Sequence, residues 1–528
     1  MNPLLLLIAS LPFCDFLQNG FVAFAAPAIS GGLGASPEEY ALSASAYAVA
    51  AIASIALHRV VLNALGWRPY LLGTCACFAA GALACASSDS PGAFTASRML
   101  MGVACGPLLT AGRVLVQAVP APRRFTGLRF FAAGLAWGAV AGPLLASLML
   151  GGADWRTGFR MLALAALVPA VLAVWMEEPR VQGSVTPPLR MRDFAGLALL
   201  AAGSFALLHS AVRAAFDFFS SPDGLYAAVA FAVPALGVFV YATAHDAPRV
   251  LALRQIAQRR YLAGLAVFAL AYVLIGADNT ALVFVMRSAL DMPLETVAAD
   301  VGLGAVGGVV AWIVLSRLLP RYPRPWPYYA FAFMLLAFCA TEIAQLSEAA
   351  DFQRVLVPAL LCHGAFMVAV LSTTAMQTFQ SLQAKEEALF SHANQVKNMV
   401  AQLGLAAGTA FCALLLQWRS TFHYAVFSEH VALWSPATND WLDRMAAHIA
   451  STAGPANASR MALAQLASLV QHEALFAAAT DYFQLLAWAA GLAGATAVAI
   501  AVTGRARSSL PSLSRWGAAP VQRLREPA

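Results

Sequence analysis

Apolar residues run through this chain in long blocks, not in alternation, and each block is closed by Pro, Gly or a charged residue. Blocks fall at about 3–28, 40–62, 69–88, 92–117, 126–150, 157–176, 194–215 and 223–244. Six more follow at about 261–286, 296–318, 325–346, 353–380, 391–417 and 480–503. Each lasts roughly 20 residues, the length a helix needs to cross a hydrocarbon core of about 30 Å. Strict period-two alternation, the mark of a barrel strand, is missing, so the blocks read as helices. Between the last two lies an interval, Trp418 to Thr480, that reads as one long loop. Within it Met461, Leu463, Leu466, Leu469 and Val470 have helical spacing, which predicts short amphipathic helices lying over the bundle.

Composition sharpens this. Hydrophobic residues make up 60% of the 528 and charged residues only 11%, against about 25% charged in a soluble domain. The predicted class is an all-α membrane protein with fourteen transmembrane helices. The opening block lacks a basic leader and carries Asp15 inside its apolar stretch, so it reads as a first span and not as a secretory signal.

Charge then orients the spans. With the N-terminus in the cytoplasm, the inside loops collect Arg59, Arg68, Arg123, Arg124, Arg129, Arg180, Arg190, Arg192, Arg249, Arg254, Arg259 and Arg260. They also hold Arg317, Arg321, Arg324, Lys385, Lys397 and the five arginines of the tail, and Arg113 lies near the inner end of its span. The outside loops are acid-rich, with Glu38, Glu39, Asp89, Asp217, Asp223, Asp291, Glu295, Glu348 and Asp351. Removing one span would invert every later loop, so the positive-inside rule supports fourteen spans with both termini cytoplasmic. The net charge of +6 is thereby a topology signal, and no nucleic-acid partner is expected. Asn457-Ala-Ser459 matches a glycosylation acceptor and carries little weight in a chain that reads as bacterial.

Chemistry-bearing residues are few. The eight cysteines all fall in apolar segments without metal-ligand spacing, which reads as small buried thiols. No HExxH, GxSxG or paired His/Asp cluster appears in any span, so neither an enzyme, a metal nor a cofactor is expected. An ionisable group inside a lipid-embedded helix costs at least about 2.5–3.5 kcal/mol, and so is a candidate for function. Asp15, in mid-span among Phe13, Phe16 and Leu17, is a carboxyl that can load a proton on one side and release it on the other. Its rival roles are a structural pair with Arg98 or a polar part of a cavity wall. Arg98, in the outer part of the fourth span, needs a carboxylate or carbonyl partner unless it snorkels outward. Asp278 and Asn279, in the ninth span, read equally as cavity residues or as a cap or interface at an interrupted helix. Glu342 lies close enough to the outer boundary to snorkel, and His209 and His363 read as satisfied packing residues.

The fifth span places Gly134, Gly138 and Gly142 one turn apart, then Pro143. Such glycines form a groove that admits a neighbouring backbone. With Asp154-Trp155-Arg156 and Phe159 after it, this run resembles the antiporter motif of the major facilitator superfamily, most of all its fourteen-helix drug:proton antiporters of EmrB/QacA type. Arg98 to Gly102 is similar to that superfamily's Arg-x-x-Gln-Gly motif, with Met101 in place of Gln and Ala104 at the second Gly. Gly66-Trp67-Arg68 occupies the place of the loop motif between spans two and three, whose Asp-Arg pair falls on Asn63 and Ala64, so charged gate contacts are lost. The stretch from Asn394 to Gly408 and the segment Asp481-Tyr482-Phe483 also look like that family.

The resemblance implies a major facilitator fold with two six-helix bundles, 1–178 and 256–528, and an inserted helix pair at 179–255. The second bundle would include the outer loop 418–480 and a cytoplasmic tail, 504–528. It further implies a proton-coupled antiporter of the bacterial inner membrane. Such a carrier exports small amphipathic or drug-like compounds by alternating access, with Asp15 carrying the proton and Arg98 modulating it. Its partners would be protons, a small-molecule substrate, the lipid bilayer and, in a double-membrane cell, a periplasmic adaptor protein. Rival functions are export of one endogenous metabolite, such as a siderophore, and a transport-dead sensor or scaffold of the same fold.

Overall fold

The structure, a computed structural model, describes residues 2–152, 154–178, 189–245, 250–346, 352–379, 387–431 and 435–503. Several expected features lie outside these residues: the 178/179 boundary, Arg180, Arg249, Lys385, Glu348, Asp351 and the tail 504–528. Among the described residues there is helix and no strand, and fourteen helices are long and apolar enough to cross a membrane. The first half comprises α1 (Pro3–Leu33), α2 (Pro37–Leu65), α3 (Trp67–Ala86), α4 (Pro91–Leu115), α5 (Arg124–Leu150) and α6 (Trp155–Trp175). Then come α7 (Met191–Asp217), α8 (Asp223–His245), α9 (Arg259–Phe284), α10 (Leu294–Leu318), α11 (Pro325–Ala344) and α12 (Phe352–Phe379). The chain closes with α13 (Glu387–His430), α14 (Pro436–Ala453) and α15 (Pro455–Thr503).

Local sequence explains the helix ends. Asn2 caps α1 with Pro3 at its first position, and Gly34 closes it in the left-handed region at φ 61°. Two residues later Ser36 and Glu39 form a reciprocal capping box on α2, again with Pro at the first position. Ser90 caps α4 by accepting from the Ala93 backbone N–H, with Pro91 at the first position and no reciprocal partner. Side chains such as Leu148, Trp175, Val233, Tyr241, Trp488 and Leu492 are exposed, as the outer belt of a lipid-embedded bundle must be.

Packing is closest at glycines, and it repeats. A Cβ on Gly134 would lie 2.0 Å from the carbonyl oxygen of Ala9, and one on Gly138 2.8 Å from that of Phe13. One on Gly142 would lie 2.8 Å from the carbonyl oxygen of Leu17. The groove in α5 therefore seats three successive turns of α1. In the second half a Cβ on Gly404 would meet the Ala269 carbonyl oxygen at 3.2 Å, and one on Gly408 the Val273 carbonyl oxygen at 2.0 Å. Thus α13 seats α9 as α5 seats α1, and the internal repeat that is invisible in the residues appears in the backbone. Likewise α4 packs on α2 through Gly102 and Gly106, and α12 packs on α10 through Gly304, Gly307 and Gly364.

The halves meet along two seams. In one, α5 lies on α10, with Ala136 and Val140 against Ala305 and Val309. In the other, α2 and α4 lie against α13. There Gln395 Nε2 donates to the carbonyls of Ile55 at 2.6 Å and Ala56 at 3.1 Å, and Asn398 Nδ2 donates to Thr110 Oγ1 at 2.9 Å. Helices α7 and α8 pack on each other, and α7 rests on both α2 and α13.

The interval 418–480 is not the loop with short overlying helices that its spacing suggests. Helix α13 continues through it to His430, α14 fills its middle, and α15 begins at Pro455 and runs unbroken to Thr503. No Gly or Pro interrupts the chain from Thr409 to Ser435 or from Ala456 to Ala490, so nothing stops either helix where its apolar block ends. The break comes at Gly454, φ 78°, followed by Pro455. Asp481 clasps the two long helices, accepting from Arg419 Nε and His423 Nε2, each at 2.6 Å.

Candidate functional site

Asp15 is buried in α1, and it ends a chain of side-chain hydrogen bonds. Arg98 Nη1 on α4 donates to Gln18 Oε1 at 3.0 Å. Gln18 Nε2 donates to Asn19 Oδ1 at 2.6 Å and to the Tyr47 hydroxyl at 2.6 Å. Asn19 Nδ2 donates to Asp15 Oδ1 at 3.4 Å. The Arg98 guanidinium also lies 4.2 Å from the centre of the Tyr47 ring, a cation–π contact that stands in for a carboxylate partner. Arg98 is thus buried without snorkelling, and it reaches Asp15 through two amides and not by direct pairing. At each step from Arg98 through Gln18 and Asn19, one donor points toward the carboxylate. Sequence reasoning missed Gln18, Asn19 and Tyr47. The available signal was the placing of two amides three and four residues after an intramembrane acid, on the same helical face.

The other motif residues have packing roles. Gly102 admits the Tyr47 carbonyl, 2.3 Å from where its Cβ would lie, and Gly20 meets Pro143 Cδ at 2.8 Å in the same way. In the loop between α2 and α3, Gly66 has φ 82° and Arg68 Nη2 donates to the Met176 carbonyl at 3.0 Å. The Arg68 backbone N–H donates to Glu178 Oε1 at 3.4 Å, so this loop is tied to the end of α6.

In the second half the structure brings together residues that looked unrelated. The Tyr482 hydroxyl on α15 donates to Asp278 Oδ1 at 2.7 Å, and His363 Nε2 on α12 lies 3.8 Å from Asp278 Oδ2. Both of those last atoms are buried without a hydrogen-bond partner. His363 is therefore not the satisfied packing residue its surroundings in sequence suggest. Asp278 on α9 and His363 on α12 thus form a buried pair within the second half. Asn279 is exposed, and neither it nor Asp278 lines the main cavity.

That cavity, about 530 Å³, lies between the halves. Phe16, Phe131, Phe268, Tyr272, Trp312 and Phe379 give it an aromatic wall drawn from both. Its rim is formed by Ala121 and Pro122 before α5, Arg260 at the start of α9, and Pro320 and Pro323 before α11. It therefore opens on the face bearing those loops. At the opposite face the aromatic cluster Phe21, Phe94, Trp155 and Phe159 packs edge to face within the first half.

A sequence model described as the Major Facilitator Superfamily matches residues 8–409 of the chain. The chain belongs to the major facilitator superfamily. Proteins of this superfamily are transporters and not enzymes, and this facilitator is a multi-pass membrane transporter. It is 23% identical over 431 residues to "Multidrug export protein EmrB" of Escherichia coli strain K12, covering 80% of this chain and 82% of that one. It is 21% identical to "Probable multidrug resistance protein EmrY" of the same strain, over 90% of this chain and 91% of the other. Among solved structures, its fold is similar to a bacterial homologue of the human drug peptide transporters PepT1 and PepT2, with TM-score 0.56 and 13% identity. That likeness covers 96% of this facilitator and 100% of the solved chain. It is also similar to a bacterial homologue of the human lysosomal transporter Spinster, with TM-score 0.54, 14% identity and coverage of 94% and 97%.

Proposed function

We propose that this facilitator is a proton-coupled exporter of small amphipathic compounds that works by alternating access. The bundles 1–178 and 256–528 rock about the cavity, and the inserted pair near 179–255 moves with the seam it covers. The observation that carries the reading is the buried donor series from Arg98 through Gln18 and Asn19 to Asp15. An ionised Asp15 is the acceptor on which that series converges. Protonating it removes the charge that strengthens the Asn19 bond and adds an O–H donor, so the bonds from Asn19 back through Gln18 rearrange and change what holds α1 to α2 and α4. Proton binding is thereby converted into a change of helix packing next to the cavity wall, which begins at Phe16. Charge distribution supports cytoplasmic termini and a cytoplasmic cavity rim, and on that orientation the arrangement corresponds to an inward-open carrier awaiting substrate. The names of the relatives support export and drug-like cargo. The length of α13 to α15 gives an adaptor protein a surface to meet on the outer side.

The test is Asp15→Asn in everted vesicles, following a pH-gradient dye while a drug panel is added. The variant is expected to fold and to reach the membrane yet release no protons in response to any compound that the parent protein transports. Full substrate-dependent proton flux in Asp15→Asn would overturn the assignment.

A further inference from the structure

Among the described residues the cavity wall contains Arg113, Arg129, Arg260 and Lys397, and no aspartate or glutamate. Arg129 and Arg260 stand near the rim, where a cytoplasmic excess of basic residues is expected on topology alone. Arg113 and Lys397 need another explanation. Arg113 is 6% exposed, so it does not snorkel into water. Its guanidinium lies 4.8 Å from the centre of the Phe390 ring and 5.7 Å from that of Phe379. Lys397 is two to three turns into α13, and its ammonium stands 5.6 Å from the centre of the Phe268 ring. Among the described residues neither makes an ion pair within 4.0 Å. A third donor is unmatched as well: Asn394 lines the cavity, is 1% exposed, and its Nδ2 has no hydrogen-bond partner. Burying an unmatched amide donor costs about 1–3 kcal/mol, and a buried cation such as Arg113 costs more, while Lys397 is half-buried. Ring faces offset part of this and leave the hydrogen-bonding capacity of all three groups unused.

We infer that the compound carried in this cavity is an amphipathic anion, whose carboxylate, sulfonate or phosphonate head is held by Arg113, Lys397 and Asn394. The aromatic wall then takes its apolar body. The inference rests on the reading of the cavity as the substrate site and deepens it. An aromatic cation of the same shape would meet the same rings, but among the described wall residues it would face two cations and an amide donor and no carboxylate.

The decisive measurement is equilibrium dialysis of the purified full-length protein, in an uncharged maltoside detergent, against two probes of one shape: 1-naphthalenesulfonate and 1-naphthylmethylammonium. The sulfonate is expected to bind at least about tenfold more tightly. Arg113→Gln and Lys397→Gln should each weaken it by on the order of tenfold or more, the range for charge-assisted hydrogen bonds. Neither should weaken the ammonium probe. Arg113→Lys, which keeps the charge, should retain more sulfonate affinity than Arg113→Gln, and this separates charge from loss of fold. Equal or tighter binding of the cation, or unchanged sulfonate affinity in both Gln variants, overturns the inference. Competition against bound sulfonate identifies the source of the natural head group. Displacement by soluble aromatic carboxylates points to a free compound and displacement by phosphatidylglycerol to a membrane lipid, and both support the anion. If neither displaces it, the inference fails. Since dialysis involves no gradient, rejection of the anion leaves proton-coupled export standing, and loss of proton flux leaves the anion site standing.

Discussion

Replacing Gly134 by alanine adds one methyl group, and the structure says where it goes. That Cβ would sit 2.0 Å from the Ala9 carbonyl oxygen, 2.9 Å from the Ala9 carbonyl carbon and 2.9 Å from Pro12 Cγ. An ordinary carbon–oxygen contact is about 3.3–3.6 Å, so α5 must withdraw from α1 by more than roughly 1 Å. The obstacles are backbone and a proline ring, which cannot rotate aside. Withdrawal also opens the contacts of Gly138 with Phe13 and of Gly142 with Leu17, because all three lie in one groove. Overpacking of a dense interior costs about 1–3 kcal/mol, and rigid neighbours put this site at the upper end. Alanine also gains about 1 kcal/mol in helix propensity over glycine, which would blur a comparison with the parent protein alone. Gly73 supplies the control, since it is an exposed glycine in α3 with nothing within 4 Å of an added Cβ. The two alanine variants share the propensity gain and differ in the clash. Thermal unfolding in detergent, followed by tryptophan fluorescence, should place Gly73→Ala at or above the parent and Gly134→Ala clearly below it. If Gly134→Ala melts with or above Gly73→Ala, the close approach of α5 and α1 is wrong, and with it the account of the antiporter motif as a backbone seat.

Two further outcomes follow from local geometry. A double-mutant cycle on Asp278→Ala and Tyr482→Phe should give a coupling of about 1–3 kcal/mol, the cost of leaving a buried acceptor without its donor; zero coupling would remove the link between α9 and α15. Gly66→Ala should lower stability by about 1–2 kcal/mol, because φ 82° is costly for any residue with a Cβ. Unchanged melting there would mean that the loop between α2 and α3 can adopt another conformation.

The fourteen helices were legible because lipid leaves the backbone no alternative, and each crossing writes a long apolar block. The motif glycines of α5 were legible too, being periodic within one element. Asp15 and Arg98 stood out as isolated charges, but what joins them did not. Tyr47 is 29 residues from Gln18 and Arg98 is 80 away, so the series exists only once three helices have packed. His363 was misread for the same reason: its neighbours along the chain are apolar, while the group facing it, Asp278, comes from another helix. In sequence the cavity cations read as topology signals, and only the fold separates buried Arg113 and half-buried Lys397 from the exposed arginines at the rim. In the interval after Trp418 the hydrophobic pattern marks where the membrane ends and says nothing about where a helix ends.

Helix α15 has 49 residues and α13 has 44, or about 73 and 66 Å at 1.5 Å per residue. Roughly half of each is needed to cross about 30 Å of hydrocarbon. The remainder, clasped at Asp481, forms a shaft rigidly continuous with two helices of the second half. A shaft of that kind is a lever arm. When the bundle beneath it tilts, displacement grows with distance from the pivot, so the tip near α14 travels further than any loop at the membrane surface. On the proposed rocking cycle, the largest excursion of the molecule therefore takes place in water, where a fluorophore pair can follow each turnover without disturbing the cavity that causes it.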